Sequence, residues 1–204
     1  MSAQSEYAFR DITTSHPHIP VPADAERLIG TMTARDGTAL RVRPLLPTDR
    51  ERLQAFHAGL SLDTIVYRFF RVLPSLSTET ARQFTHIDYE NRMAIVATTG
   101  DNDDERIRAV VRYERTGPDT AEVAFVVDDP LQGQGVAPAL LRRLAEYARA
   151  RGFATLIAIT MPSNSRMIAM LRHSGFPFSS HFEDGEVSLR LDIREPLSQN
   201  AHMG

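Results

Sequence analysis

Apolar and polar positions follow two different periods along the chain. Alternating residues over 31–35 and 38–43 flank Asp36-Gly37, a dipeptide typical of hairpin turns. Apolar runs bounded by turn residues predict six further strands, over residues 93–99, 107–115, 120–127, 155–160, 176–182 and 186–193. The runs from 93 to 127 are joined by tight turns, so we predict that these three strands pair antiparallel.

Other segments carry apolar residues at three- and four-residue spacing, which indicates amphipathic helices. The spacing predicts helices over residues 49–58, 61–70, 77–86, 135–152 and 164–174. In the fourth, Leu140, Leu141 and Leu144 lie on one face, and arginines lie on the other. The order of strands and helices predicts a mixed α/β (α+β) domain.

The chain has 204 residues, of which 42% are hydrophobic, enough for one domain with a proper core. We expect this domain over residues 31–195. The alternating prolines of residues 16–22 favour extended backbone, so we expect residues 1–30 to form a flexible arm. His16 and His18 on this arm are not expected to bind a metal. Residues 196–204 are expected to be a disordered end.

Composition excludes several classes of function. Without cysteine there is no disulfide, thiolate metal site or cysteine nucleophile. All 23 basic residues are arginine, and the net charge of −3 with no basic block argues against a nucleic-acid partner. No apolar stretch approaches the ~20 residues of a membrane span, and no signal sequence is recognisable. We expect a cytoplasmic monomer or homodimer without a metal or a membrane partner.

A glycine-rich turn, Gln132-Gly133-Gln134-Gly135-Val136-Ala137, joins a predicted strand to a predicted helix. Glycines let the backbone bend sharply and let an anion approach its amides. The unpaired N–H groups and the positive dipole end of the following helix complete an anion site that needs no lysine. On these residues alone, a phosphate-binding turn and an ordinary strand-to-helix turn are both open.

The order of elements, together with Gln132-x-x-Gly135-x-Ala137, resembles the GNAT superfamily of acyl-coenzyme-A-dependent N-acetyltransferases over residues 35–193. Three further segments look more particularly like the catalytic domain of bacterial protein lysine acetyltransferases: Arg68-Phe69-Phe70, residues 84–89 and Met93-Ala94. The resemblance implies a mixed, mostly antiparallel twisted sheet of about seven strands flanked by helices. It also implies acetyl-CoA as co-substrate and a protein lysine, such as one in an acyl-CoA synthetase, as acceptor.

The resemblance further implies where the coenzyme binds. The strand end at 125–127 would separate from its neighbour, and the N–H of Val126 or Val127 would polarise the thioester carbonyl. Asn164 would bond the pantetheine chain and could equally be a helix N-cap, whereas Pro138 has no N–H to offer a phosphate. The implied coenzyme-binding residues are Phe125, Val126, Val127, Gln132, Gly133, Gln134, Gly135, Val136, Ala137, Pro138 and Asn164.

Glu122 matches the glutamate that the family places in the strand before the turn. A lysine amine has a pKa near ~10.4 and must lose a proton before it attacks a thioester. A partly desolvated carboxylate can remove that proton directly or through water. Glu114 and Asp88 are rival candidates for this base.

The family's general-acid tyrosine matches Leu171, and leucine cannot donate a proton. Solvent would then protonate the leaving thiolate, or His173 or Ser174 would help. Two other functions stay open at this stage. The first is acetylation of a small amine or antibiotic, and the second is a non-enzymatic acyl-CoA-binding sensor.

Overall fold

The computed structural model of the chain describes residues 20–197. The expected disordered end lies outside these residues except for its first two positions. Most of the expected N-terminal arm, including His16 and His18, also lies outside them.

Eight strands form one sheet, in the order β1-β2-β3-β4-β5-β6-β8-β7. The strands are β1 Gly30–Thr33, β2 Ala39–Pro44, β3 Arg92–Thr99, β4 Arg106–Arg115, β5 Thr120–Val127, β6 Thr155–Thr160, β7 Phe178–Glu183 and β8 Glu186–Asp192. All neighbours pair antiparallel except β5 and β6, which are parallel. The mixed, mostly antiparallel sheet is confirmed; it has eight strands rather than about seven because both strands of the first hairpin join it.

Five α-helices flank the sheet, as the helical spacing predicts. They are α1 Arg50–Ala58, α2 Leu62–Phe69, α3 Thr78–Thr85, α4 Val136–Ala150 and α5 Ser165–Arg172. The hydroxyls of Ser61 and Ser77 accept the N–H groups of Thr64 and Thr80, so each serine caps the helix that follows it.

Helices cover both faces of the sheet. In β4, Val110 and Arg112 face a cavity walled by α1, α2 and α3. The alternate residue Tyr113 points to the opposite face, where its ring centroid is 5.0 Å from that of Phe153, just beyond the end of α4. The sheet therefore presents one face to α1–α3 and the other to α4.

The described end of the expected N-terminal arm packs against the domain. Ala23–Leu28 form a 3-10 helix whose apolar Ala25 and Leu28 are buried. Arg151 lies 2.7 Å from Asp24 in an ion pair. Two buried apolar side chains therefore pack these residues against the domain, and the flexible arm over residues 1–30 stays a prediction. The domain boundaries at 31 and 195 stay predictions.

Candidate active site

The cleft of the molecule begins where β5 and β6 separate. Their pairing joins Thr120–Glu122 to Thr155–Ile157 and stops there, although both strands continue. The other edge of β5 pairs with β4 up to Val127. Beyond Glu122 the β6-facing edge of β5 therefore borders a cleft of about 860 Å³. This is the strand separation that the resemblance implies.

Eleven of the twelve residues expected in the site line this cleft: Glu122, Phe125, Val126, Val127, Gln132, Gly133, Gly135, Val136, Ala137, Pro138 and Asn164. Gln134 is the exception. Its carbonyl accepts the N–H of Arg35 at 3.0 Å, which ties the turn to the loop between β1 and β2. Gln134 thus does not face the cleft, and its carbonyl instead fixes the turn to the β1–β2 loop.

The glycine turn has the backbone that its sequence predicts. Gly133 and Gly135 have φ angles of +77° and +85°, a region that side chains disfavour. A Cβ on Gly133 would meet nothing within 4 Å, so its conformation, not crowding, requires glycine. Gly135 is the N-cap of α4, whose first residues have amides without partners inside the helix. Pro138 removes one of these amides.

The side chain of Gln132 joins three parts of the cleft wall. Its Nε2 donates to Thr64 Oγ1 at 2.9 Å and to the Val127 carbonyl at 3.2 Å. Its Oε1 accepts a hydrogen bond from Arg166 Nη1 at 2.9 Å. The side chain therefore links α2, the end of β5 and α5, and only its backbone is left to face an anion.

Asp129 strengthens the same connection. Its carboxylate accepts from the N–H and hydroxyl of Ser61, at 2.9 and 2.6 Å, and from the hydroxyl of Thr64 at 2.8 Å. Desolvation acts to raise the pKa of Asp129, but the hydrogen bonds from Ser61 and Thr64 outweigh it and hold the pKa below its usual value. The start of α2 is thus fixed to the segment that leads into the glycine turn.

Asn164 has the capping role that is one of its two expected roles. Its Oδ1 accepts the N–H of Met167 at 3.2 Å, and its Nδ2 donates to Thr160 Oγ1 at 3.0 Å. The side chain thereby begins α5 at the end of β6 while it also lines the cleft.

Glu122 lies half-buried at the last position where β5 pairs with β6. Burial raises the pKa of its carboxyl; the nearby charge of Arg68 acts to lower it, and Glu114 acts to raise it. Glu114 stands directly opposite on β4. A carboxylate whose pKa is raised holds a proton more readily, and this is the property a general base near neutral pH needs.

The two rival carboxylates do not line the cleft. Asp88 accepts the N–H groups of Glu90 and Arg92, at 3.0 and 2.8 Å, and so shapes the loop before β3. Glu114 faces Glu122 across the β4–β5 pair. Of the three candidate acids, Glu122 alone has access to the cleft.

The cleft is lined by His173, just after α5, and by five residues of α5: Ser165, Arg166, Met167, Ala169 and Met170. Leu171 is fully buried and points away from the cleft. The Nδ1 of His173 lies 2.8 Å from the Ala169 carbonyl at the helix end, and Ser174 is buried. A buried leucine therefore stands where the family's tyrosine would be expected.

Sequence reasoning missed two arginines of the cleft. Arg35, from the turn between β1 and β2, has its Nη1 3.5 Å from the Gly133 carbonyl. Arg68, on α2, lies close enough to Glu122 to influence its charge. Arg35 is 98 residues from the glycine turn, so no local pattern could have placed it there.

Within residues 20–197 no group of three or more His, Cys, Asp or Glu residues is placed to hold a metal ion. No helix in the same range is long and apolar enough to cross a membrane.

Comparison with known proteins identifies the fold and the family. The model of the acetyltransferase (GNAT) family matches residues 62–176. Acetyltransferase PA5475 of Pseudomonas aeruginosa is 31% identical over 142 residues, which cover 69% of this chain and 76% of that protein.

Two solved structures show the same architecture. The GNAT domain of S. lividans PAT is 38% identical, with a TM-score of 0.76 over 85% of this chain and 99% of that domain. A cAMP-binding acyltransferase from Mycobacterium smegmatis, 24% identical, has the same fold, with a TM-score of 0.58 over 87% of this chain and 51% of that one. The protein belongs to the GNAT acetyltransferase family, whose members use acetyl-CoA as co-substrate.

Proposed function

We propose that the protein transfers the acetyl group of acetyl-CoA to the side-chain amine of a lysine in a protein substrate, such as an acyl-CoA synthetase. The observation that carries this proposal is Glu122. It is a half-buried carboxylate with a raised pKa, at the point where β5 leaves β6 and opens the cleft.

In this proposal the pyrophosphate of the coenzyme lies on the turn from Gly133 to Ala137. The amides of Val136 and Ala137 and the dipole of α4 favour an anion there. Arg35 adds a positive charge at the edge of the turn, and Arg166 adds another from α5. The pantetheine arm follows the edge of β5 that β6 leaves free, beside Asn164.

Glu122 accepts a proton from the lysine ammonium, and the neutral amine attacks the thioester carbonyl carbon. The N–H of Val127 donates to the oxygen as it gains negative charge, because the N–H of Val126 faces β4 in the antiparallel pair. The new C–N bond forms, the C–S bond breaks, and coenzyme A leaves as a thiolate. Because a thiol has a pKa near ~8.5, solvent can supply its proton and no tyrosine is needed.

Two lines of support favour a protein acceptor. Arg68-Phe69-Phe70 and Met93-Ala94 are segments that resemble bacterial protein lysine acetyltransferases, and the chain is similar to the GNAT domain of S. lividans PAT. We further propose that the protein acts in the cytoplasm, as a monomer or homodimer.

The test uses labelled acetyl-CoA with two sets of acceptors, lysine-bearing proteins including an acyl-CoA synthetase, and a panel of small amines. Because the chain has no lysine, every labelled acetyl-lysine found comes from the acceptor. We expect label on specific lysines of the protein acceptor. Faster turnover of a small amine would assign the enzyme to small substrates instead, and coenzyme binding without any transfer would make it a sensor.

A matched pair of variants completes the test. Glu122→Gln should abolish most of the labelling. Glu146→Gln changes an exposed glutamate on α4 and should not alter it.

A further inference from the structure

A second, smaller cavity lies beneath α2, on the sheet face that α1–α3 cover. Its volume is about 40 Å³. Its walls are mostly apolar side chains such as Leu53, Phe56 and Phe84, with three exceptions, His57, Arg68 and Arg112. Arg68 and Val126 line both this cavity and the main cleft. The cavity therefore adjoins the part of β5 where the proposed thioester lies.

The two arginines have no carboxylate partner in the described part of the chain. Within residues 20–197, no acidic oxygen lies within 4.0 Å of either guanidinium. Each stacks on a ring instead: Arg68 Cζ is 5.0 Å from the centroid of Phe69, and Arg112 Cζ is 4.8 Å from that of Phe84. Two cations thus line one mostly apolar cavity.

The two guanidinium groups repel each other, while the carboxylates of Glu114 and Glu122 attract Arg112 without contacting it. Desolvation lowers the pKa of Arg112 to about 10, and the charge of Arg68 is the next cause. Desolvation also lowers the pKa of Arg68, against the attraction of Glu122. Charges removed from water are normally compensated by a paired, hydrogen-bonded counter-charge. Guanidinium groups are suited to bind planar oxyanions through two hydrogen bonds.

We propose that Arg68 and Arg112 form a binding site for a carboxylate, in the first place the terminal carboxylate of a short dicarboxylic acyl chain carried on coenzyme A. The inference rests on the proposed coenzyme site. A thioester held at the end of β5, beside the side chain of Val126, directs its acyl chain toward the wall that the two cavities share. The small cavity has room for on the order of three waters, which matches the three heavy atoms of a carboxylate.

The distal carboxylate takes no part in the bond changes. The C–N bond forms and the C–S bond breaks as in acetyl transfer, with coenzyme A again leaving as a thiolate. The site would therefore widen the donor range from acetyl to short acidic acyl groups such as succinyl.

The test measures dissociation constants of the wild-type protein for succinyl-CoA and butyryl-CoA, without any acceptor. The two chains have the same length and differ in a terminal carboxylate or methyl. Because hydrogen bonds between charged groups are stronger than neutral ones, we expect succinyl-CoA to bind about tenfold more tightly or better, a difference of ~1.4 kcal/mol. Equal or weaker binding of succinyl-CoA overturns the acyl-chain assignment, and this wild-type measurement needs no variant to fold.

Two variants locate the effect. Arg112→Gln should bring the succinyl-to-butyryl ratio toward one. Arg106→Gln changes an exposed arginine on the same strand and should leave the ratio as in the wild type. A ratio that Arg112→Gln does not change would refute the role of Arg112.

A further measurement distinguishes a carboxylate on the acyl chain from a carboxylate on the acceptor. Acetyl transfer is measured to peptides with glutamate or alanine beside the acceptor lysine. A preference for the acidic peptide that depends on Arg112, with no succinyl-CoA preference, would assign the carboxylate site to the acceptor. Absence of both preferences refutes the site altogether. If neither coenzyme A ester binds, the proposed coenzyme site itself has failed, which is a distinct result.

Discussion

Replacing Glu122 by Gln tests the proposed base with a magnitude that can be worked out in advance. With a lysine pKa near ~10.4, about one amine in 1,000 is neutral at pH 7.4. Without a base, only that neutral fraction of the amine can attack the thioester. A general base contributes typically ~10²–10⁴-fold, so both arguments predict a loss of about 1,000-fold, or ~4 kcal/mol of transition-state stabilisation.

The pH profile makes this prediction specific. In Glu122→Gln, kcat/KM should rise about tenfold per pH unit as the free amine fraction grows, so the defect should shrink steadily toward pH 9. The assay is steady-state acetyl transfer at pH 6–9.5, with acetyl-CoA affinity measured separately by titration calorimetry. A defect that stays constant across this range, or full activity at pH 7, would refute the role of Glu122 as base.

Three further variants probe the surroundings of the site. Glu114→Gln removes the like charge opposite Glu122, so the pKa of Glu122 should fall and the acidic limb of the kcat/KM profile should move to lower pH; an unmoved limb contradicts the coupling. Asp129→Asn weakens the anchoring of α2, and after discounting for solvent we expect a loss of ~1–2 kcal/mol, seen as a Tm lower by about 2–8 °C. The folded-state pKa of Asp129 is depressed, so this difference should be full at pH 7 and vanish as pH falls through that pKa; a difference that persists in acid would argue against it. Arg35→Gln should weaken acetyl-CoA binding about tenfold and flatten its salt dependence, whereas unchanged calorimetric affinity removes Arg35 from the phosphate site.

Much of the fold follows from local patterns. The bounds of β5 and β6 agree with the apolar runs over 120–127 and 155–160, because turn residues border both runs. The predicted strand over 176–182 is displaced, since the observed strand starts at Phe178. Pro177 has no N–H for a ladder, and Phe176 is buried in the loop before it. Pro177 therefore moves the start of this strand two residues later than the apolar spacing predicts.

The site was predictable only where its chemistry lies in consecutive residues. The glycine turn and Glu122 are marked by their own segments, and both line the cleft. The partners of Gln132 lie on α2 and α5, 68 and 34 residues away in the chain. The cavity that holds Arg68 and Arg112 exists only once α2 packs over β4 and β5. The spacing of apolar residues in the sequence cannot predict such contacts, because they depend on tertiary packing.

The spacing along β5 decides how Glu122 can act. At ~3.3 Å per residue, four residues from Glu122 to Val126 span about 13 Å, although both side chains point to the same face. A base has to come within ~3 Å of the proton, or reach it through water. The structure therefore favours transfer through water in the cleft, which is large enough to hold it. A bridging water can span the extra distance to a shorter carboxylate side chain. Glu122→Asp should therefore keep far more activity than Glu122→Gln. If kcat for Glu122→Asp falls as low as for Glu122→Gln, with acetyl-CoA binding intact, the carboxylate instead contacts the amine directly.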